Sequence, residues 1–397
     1  MSTHAPARPS YAAVLRVPHA RRAFVSALTA RLSYGTVSLA VLLSVTRATG
    51  SYAVSGAVLS LFGATTVFLS PLRASLIDSH GPRRALPPMA TLYGGLLCVL
   101  AALTWHPGAP APALAATAAL TGACAPPLGP AMRALWSELV AEPGLLQRAY
   151  SLDGVAEELL YVTGPVLVGV LSGCAPPAAG ILLSALLVVG GTGVFATSPA
   201  LPGPRPATAP GRGTGALGGL SAPVAVATGV GLALSGVDLL VMAFAAQHSY
   251  GTALVSWAMG ALSAGSAVGG LLNGVIRWRA PARTRLCRFA AALGVVIAGA
   301  GLAPGVWSLL AAMVCAGAFI APALTTAYLL AAEVAGEGAR TRAGAWVNTG
   351  VNAGSSGGAM VTGLLIGHMP LPLCFVLAGG AALIGAVVPS AVTGPRA

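Results

Sequence analysis

Twelve apolar segments, each long enough to cross a lipid bilayer as a helix, follow one another along this chain of 397 residues. They lie at 24–46, 52–73, 86–105, 112–136, 152–174, 176–198, 222–246, 252–276, 288–304, 306–331, 343–367 and 371–392. A helix needs about 20 apolar residues to span the hydrocarbon core, and membrane helices tolerate the Gly and Pro found inside several segments. The pattern therefore predicts an all-α polytopic membrane protein with twelve transmembrane helices.

The composition agrees with lipid as the solvent of this chain. Charged residues make up only 8% of it, whereas soluble domains carry about 25%. The net charge of +12 does not indicate a nucleic-acid partner, because the basic residues lie in short clusters between apolar segments. The six cysteines form no CxxC pair, so neither a zinc site nor a disulfide framework is indicated. We expect no cofactor and no metal.

The basic residues, all of them arginine, fix the orientation. With the N-terminus inside, 18 of the 21 fall in inner segments, only Arg47 falls in an outer loop, and Arg31 and Arg133 fall within spans. The inner set is Arg8, Arg16, Arg21, Arg22, Arg73, Arg83, Arg84, Arg148, Arg205, Arg212, Arg277, Arg279, Arg283, Arg285, Arg288, Arg340, Arg342 and Arg396. By the positive-inside rule, both termini are cytoplasmic. We expect a multi-pass protein of a cell (plasma) membrane, of bacterial origin, with an uncleaved polar N-terminal tail.

A duplication divides the chain into two halves. Three small or Pro positions recur 195 residues later and three glycines recur 194 residues later. The pairs are Gly122 with Gly317, Ala123 with Ala318, Pro127 with Pro322, Gly164 with Gly358, Gly169 with Gly363, and Gly173 with Gly367. The segment 199–221 between the halves is rich in Pro and Gly, which is typical of a linker. We therefore predict six-helix bundles at 1–198 and 222–397, pseudo-symmetric and joined by a cytoplasmic linker.

The segment 74–84 resembles a signature of the major facilitator superfamily. That signature is roughly Gly-x3-Asp-Arg-x-Gly-Arg-Arg, and it follows the second span. The matching positions are Asp78, Gly81, Arg83 and Arg84. Ala74 and Ser79 depart from it, and Pro82 is inserted. The resemblance implies a cytoplasmic gate in which Asp78 faces a helix N-terminus or an arginine such as Arg133. The alternative is a solvated turn with arginines that anchor it at the membrane.

A second resemblance lies in the fifth span. Gly164-Pro165 with Gly169 is similar to the Gly-Pro signature of drug/proton antiporters, from which Leu160 and Val168 depart. The chain also resembles actinobacterial exporters at Arg-Leu-Ser-Tyr-Gly (31–35) and Thr-Gly-Ser-Tyr (49–52). The alternative to an antiporter signature is a Pro kink that packs through small residues.

Polar side chains inside the spans mark a candidate substrate and proton pathway. A charge at the bilayer centre costs at least ~2.5–3.5 kcal/mol, so such residues face a cavity or a partner. The set is Arg31, Tyr34, Glu157, Glu158, Tyr161, Asp238, Asn348 and Asn352. Helical spacing places Arg31 with Tyr34, Glu157 with Tyr161, and Asn348 with Asn352 on common faces. Apart from Arg288 at the first position of span nine, spans three, six, nine and twelve carry no charge, and by the resemblance they lie outermost.

Each charged residue of this set has two interpretations. Arg31 either joins an ion pair at the cavity or extends to the cytoplasmic surface. Glu157 or Glu158 either carries a proton or pairs with a nearby arginine. Asp238 has no basic residue near it in sequence, and an apolar setting favours the neutral form of a carboxyl. It either carries a proton or binds Ser235 or a facing helix.

These observations predict a transporter that works by alternating access as a monomer. The favoured substrate is a small amphipathic drug or antibiotic, exported in exchange for protons. The alternative is an importer or facilitator of a sugar or organic anion, with Arg31 as an anion clamp. A membrane-embedded enzyme or sensor is disfavoured, because the sequence has no metal-ligand cluster, no nucleophile constellation and no GxxxxGK[ST] loop.

Overall fold

The computed structural model describes residues 10–201, 214–251, 253–336 and 338–391. These residues form helices joined by short connections, with one isolated bridge between Ile366 and Met369. The helices are α1 (Tyr11–Arg16), α2 (Ala20–Thr49), α3 (Tyr52–Phe68), α4 (Ser70–His80), α5 (Pro82–Leu103), α6 (Ala111–Cys124), α7 (Leu128–Leu139), α8 (Pro143–Ser172), α9 (Ala178–Ala196), α10 (Thr214–Gln247), α11 (Ala253–Val275), α12 (Ala282–Ala300), α13 (Val306–Ala335), α14 (Arg340–Leu365) and α15 (Leu371–Ala391).

Twelve membrane spans follow from these helices. In the described part of the chain, eight spans are long and apolar enough to cross a bilayer, and α3 with α4, bent by 41°, makes a ninth. One of the eight runs from Ala111 to Leu139 and consists of α6 and α7. The helices α12, α14 and α15 complete the twelve. The predicted all-α polytopic fold in two six-helix bundles is confirmed.

Matching glycines make matching helix contacts in the two halves. Gly122 brings α6 against α3, and Gly317 brings α13 against α11. Gly164 brings α8 against α2, and Gly358 brings α14 against α10. At each of these glycines a Cβ atom would overlap backbone atoms of the neighbouring helix. Small residues allow this close approach, which is the main means of helix packing in lipid.

The predicted linker differs from the structure at one end. Residues 202–213, and with them Arg205 and Arg212, lie outside the described residues, as do Arg8 and Arg396. The helix α10 begins at Thr214, within the predicted linker of 199–221. Gly and Pro do not stop a membrane helix as they stop a soluble one, which is why composition placed this boundary too late. The exact division into 1–198 and 222–397 stays a prediction.

Most arginines lie at one end of the spans, the predicted inner end, which we call the arginine-rich end. The described hydrogen bonds between the halves lie at this end or midway along the spans. On α8 they involve Gln147, Ser151 and, farthest from that end, Glu158 with Ser266 of α11. Farther along, the side chains of Tyr161 on α8 and Trp257 on α11 are exposed. The halves therefore meet at the arginine-rich side and separate towards the other side.

Candidate functional site

A cavity of about 310 Å³ lies between the halves near the middle of the spans. Its polar and aromatic lining includes Tyr34, Ser38, Phe62, Thr66, Arg73, Tyr93, Glu157, Tyr161, Asn348 and Asn352. The walls come from α2, α3, α4, α5, α7, α8 and α14, so both halves contribute. Five residues of the predicted pathway are brought together here, namely Tyr34, Glu157, Tyr161, Asn348 and Asn352.

Four charged side chains form a cluster beside the cavity, which we call the ion cluster: Arg31, Arg133, Asp153 and Glu157. Arg31 Nη1 lies 2.7 Å from Asp153 Oδ1, and Arg31 Nη2 lies 2.8 Å from Glu157 Oε1. Arg133 Nε lies 3.0 Å from Asp153 Oδ2, and Arg133 also pairs with Glu157. The two positive and two negative charges cancel, which offsets the cost of removing them from water.

Only one member of the ion cluster reaches the cavity. Asp153 is fully buried, and Arg31 and Arg133 are almost so, whereas 26% of the Glu157 side chain is exposed. Glu157 is also the one of the four that lines the cavity. A proton or a solute in the cavity therefore meets the cluster at the Glu157 carboxylate.

Local sequence explains how the cluster assembles. Asp153 and Glu157 are four residues apart on α8, so they share one helix face. The α2 helix that carries Arg31 is held against α8 by the contact of Gly35 with Gly164. Arg133 comes from α7, whose position Gly129 lies beside the Glu157 carboxylate.

Asp153 was not among the predicted site residues. It lies at the second position of the predicted fifth span, where a charge next to the membrane surface needs no partner. The signal that marks it is its spacing, because it extends the stripe of Glu157 and Tyr161 by one further turn.

The ion cluster is linked to the second half through an aromatic ring. The Arg133 guanidinium carbon lies 3.9 Å from the centre of the Tyr328 ring on α13, a cation–π contact. The Tyr328 hydroxyl lies 3.5 Å from Asn348 Oδ1 on α14, and Asn348 lines the cavity. A change in the position of Arg133 therefore alters a contact between the halves.

The break between α6 and α7 at 125–127 exposes backbone carbonyls that the protein itself satisfies. Arg73 Nη1 donates to the carbonyls of Gly122 at 2.8 Å and Ala123 at 2.7 Å, and Nη2 donates to that of Thr66. The Tyr34 hydroxyl donates to the Pro126 carbonyl. Non-helical backbone is tolerated at this depth only when it is satisfied in this way. Arg73, which the arginine pattern placed in an inner loop, is in fact buried on α4.

Asp78 connects the halves at the arginine-rich end. Its carboxylate accepts from the backbone N–H groups of Thr341 at 3.2 Å and Arg342 at 2.9 Å, in the first turn of α14. A carboxylate there compensates the positive end of the helix dipole. Of the two partners considered for Asp78, the structure has the helix N-terminus and not Arg133, which belongs to the ion cluster.

The other residues of the predicted gate stay within the first half. Gly81 alone separates α4 from α5, and its φ of +82° is one that favours glycine. Arg83 Nη2 donates to the carbonyls of Ser198 and Leu201, both at 3.0 Å, beyond the end of α9. Arg84 is exposed. Asp78 is thus the member of the 74–84 signature that crosses to the second half.

The remaining charged pathway residues occupy different surroundings. Glu158 accepts a hydrogen bond from the Ser266 hydroxyl of the second half. Asp238 is exposed on α10, lies outside the cavity lining, and shows no hydrogen bond or ion pair within the described part of the chain. The structure therefore does not bring Asp238 to the ion cluster, and Ser235 donates to the Leu232 carbonyl instead.

The Gly-Pro segment of α8 contributes packing contacts. Gly164 lies against the backbone of Gly35, whereas a Cβ atom at Gly169 would meet nothing within 4 Å. Pro165 lies inside α8, which continues through it to Ser172. This placement fits the packing interpretation of the segment.

Comparisons with known proteins identify a family and several solved structures of similar fold. The family model described as Major Facilitator Superfamily matches residues 23–296. A solved structure of the human organic anion transporter TETRAN has a TM-score of 0.70 at 14% identity, covering 94% of this chain and 99% of that one. A bacterial homologue of the iron transporter ferroportin, in an outward-facing state, has a TM-score of 0.73 at 15% identity, covering 93% and 98%.

A sugar transporter is also similar. The fucose:proton symporter of E. coli has a TM-score of 0.64 at 15% identity, covering 98% of this chain and all of that one. No curated protein matches the chain in sequence. At identities this low, likeness to a solved structure shows the fold alone.

Proposed function

The chain belongs to the major facilitator superfamily of membrane transporters, and we propose that it exports small amphipathic compounds, such as a drug or an antibiotic, in exchange for protons. The two halves rock about the cavity, so that it faces each side of the membrane in turn. The observation that carries the proposal is the position of Glu157, which belongs to the ion cluster and also lines the cavity. We further propose a bacterial plasma membrane, a monomer, and cytoplasmic termini, as the arginine distribution indicates.

Protonation of Glu157 is the proposed coupling step. Ionised Glu157 holds both Arg31 and Arg133. A proton on it leaves two guanidinium groups facing the single carboxylate of Asp153, and the cluster then has an uncompensated positive charge. That charge favours a new position of Arg133 and weakens its stack on Tyr328 of the second half. Proton binding in the cavity is thereby coupled to the contact between the halves.

The cavity lining supports a neutral or cationic amphipathic substrate. The aromatic rings of Tyr34 and Tyr161 offer apolar surface, and Asn348 and Asn352 offer hydrogen bonds. Arg31 is engaged by two carboxylates, so the anion clamp of the alternative function loses its support. A sugar remains compatible with the lining, and the direction of transport separates that alternative from export.

Transport of ethidium, a planar amphipathic cation, into everted membrane vesicles tests the proposal. With the lumen acidified, an exporter that exchanges protons accumulates ethidium in the lumen, and nigericin abolishes the accumulation. We expect Glu157→Gln to lose at least tenfold of this gradient-driven uptake while keeping ethidium–ethidium exchange, because the substituted site still binds substrate and alternates. Asp238→Asn is the matched control and keeps gradient-driven uptake.

Two results would contradict the proposal. Gradient-driven uptake that survives Glu157→Gln would remove Glu157 from the coupling, and its loss in Asp238→Asn would move the coupling to α10. Release of preloaded fucose or xylose from vesicles with an acidic lumen, without ethidium uptake, would favour a sugar importer.

A further inference from the structure

A groove lies on the lipid-facing surface between α2 and α9, and two arginines are part of its lining. Its volume is about 660 Å³, and it is lined by His19, Arg21, Arg22, Val25, Gly190 and Val194, among others. Both flanking helices are membrane spans, so the groove opens into the bilayer. It is separate from the transport cavity, with which it shares no lining residue.

The groove exists because one wall lacks side chains. Gly191 packs against the backbone of Ala30 and brings α9 close to α2, while a Cβ atom at Gly190 would meet nothing within 4 Å. Val25 and Val194 are exposed on either side. The groove is lined from Arg22 to Thr29, about 10 Å along the helix at 1.5 Å per residue. Ser26 and Thr29 also line this stretch, but their hydroxyls donate to carbonyls of their own helix. The stretch is therefore suited to the first part of an acyl chain.

The shallow end of the groove is positively charged. Arg21 and Arg22 are exposed at the start of α2. Within the described part of the chain, Arg22 Nη2 has one weak contact, 3.4 Å from the Thr197 hydroxyl. No acidic side chain is among the described residues that line the groove. Basic pockets between spans at the cytoplasmic surface bind the head groups of anionic lipids.

We propose that this groove is a binding site for an anionic phospholipid, with the phosphate at Arg21 and Arg22 and an acyl chain over Gly190. The occupant is a lipid and not a free anion, because the basic residues adjoin the apolar stretch and the groove opens to the hydrocarbon of the bilayer. The lipid fills the space between α2 and α9, next to the span that carries Arg31, and so stabilises the first half.

The test is thermal unfolding of the full-length protein in detergent with added lipid. Dioleoylphosphatidylglycerol is expected to raise Tm more than dioleoylphosphatidylcholine does, and native mass spectrometry is expected to show bound phosphatidylglycerol. Arg22→Gln should weaken that binding about fivefold, because a basic residue near an anionic surface contributes about 1 kcal/mol. Gly190→Leu, which fills the groove but keeps the charge, should lose it as well.

Arg47→Gln is the matched control, since it removes one exposed arginine from the opposite end of α2. It should bind phosphatidylglycerol as the unmodified protein does. Equal stabilisation by phosphatidylcholine, or unchanged phosphatidylglycerol binding in both Arg22→Gln and Gly190→Leu, would overturn the proposal. Stabilisation by inorganic phosphate alone to the same extent would identify a free-anion site and would also overturn it.

Discussion

Arg31 and Arg133 are retained inside the membrane because two carboxylates of α8 lie against them. Each charge alone would cost at least ~2.5–3.5 kcal/mol at this depth, and the four together are neutral. Asp153 is the fully buried member and contacts both arginines. Its role is to hold the guanidinium groups in place, whereas Glu157 is accessible from the cavity.

Asp153→Asn is expected to destabilise the protein by about 3–5 kcal/mol, because it leaves a buried positive charge uncompensated. The measurement is the free energy of unfolding in mixed micelles. The double variant Arg31→Gln/Asp153→Asn restores charge balance and should recover a large part of the loss. If Asp153→Asn unfolds like the unmodified protein, the pairing seen here does not stabilise the folded state.

The sequence identified Arg31, Arg133 and Glu157 as residues of interest because a charge inside a span is costly wherever it faces lipid. It could not identify Tyr328, since an aromatic residue in an apolar helix has no special cost and its stack on Arg133 depends on how the halves meet. For Asp238 the sequence indicated a site that the structure does not place at the cavity. Its position in a span was evident, but helical spacing alone does not say whether that face lines the cavity.

At the scale of elements, one face of α8 has two tasks. It carries Asp153 and Glu157 against Arg31 of α2, and two turns beyond Glu157 it carries Gly164 against Gly35 of the same helix. The close approach of α2 and α8 is what allows Arg31 to reach both carboxylates. The resemblance to an antiporter signature at Gly164-Pro165 therefore coincides with a packing contact that positions the ion cluster.

Gly164→Ala is expected to cost about 1–3 kcal/mol of stability, because its Cβ atom overlaps the backbone of Gly35 and forces α8 away from α2. Gly169→Ala, one turn and a residue farther along the same helix, meets no neighbour and should be neutral or stabilising by up to about 1 kcal/mol. Thermal unfolding of the two variants makes the comparison. Equal destabilisation by both would show that helix flexibility, not the close contact, matters here.

The break in the fourth span is an element that hydropathy cannot place. A continuous span was predicted at 112–136, and the structure has α6 and α7 with a break at 125–127. Pro126-Pro127 is a local signal for it. That the break is stable in lipid depends on Arg73, which comes from another span. Such a tertiary partner is not visible in the local sequence.

At the scale of the whole molecule, the halves are closed at the arginine-rich side. Asp78 meets the start of α14, and Gln147 donates to the Asn273 carbonyl and accepts from Arg285. With this side cytoplasmic, as the arginine distribution predicts, the structure is an outward-facing state. Alternating access then requires these contacts to open in every cycle.

A disulfide across the closed side should therefore stop transport. A Cβ atom on Gly344 of α14 would lie 3.4 Å from the Pro130 Cβ atom on α7, close to the separation that disulfides require. With the six native cysteines replaced, we expect oxidised Pro130→Cys/Gly344→Cys to lose ethidium exchange by at least tenfold. Pro130 lines the cavity, so the reduced double variant is the reference for the oxidised one. Reduction should restore exchange, because the crosslink, and not the two substitutions, holds the halves together.

The pair Ala40→Cys/Gly180→Cys provides the control, since these positions face each other on α2 and α9 of the same half. If the halves move as rigid bodies, a crosslink inside one half leaves exchange intact. Loss of exchange in both oxidised pairs would indicate that motion within the bundles is also required. Undiminished exchange in the oxidised Pro130→Cys/Gly344→Cys protein would mean that the contact between α7 and α14 does not open during transport, and rocking at the arginine-rich side would have to be abandoned as the mechanism.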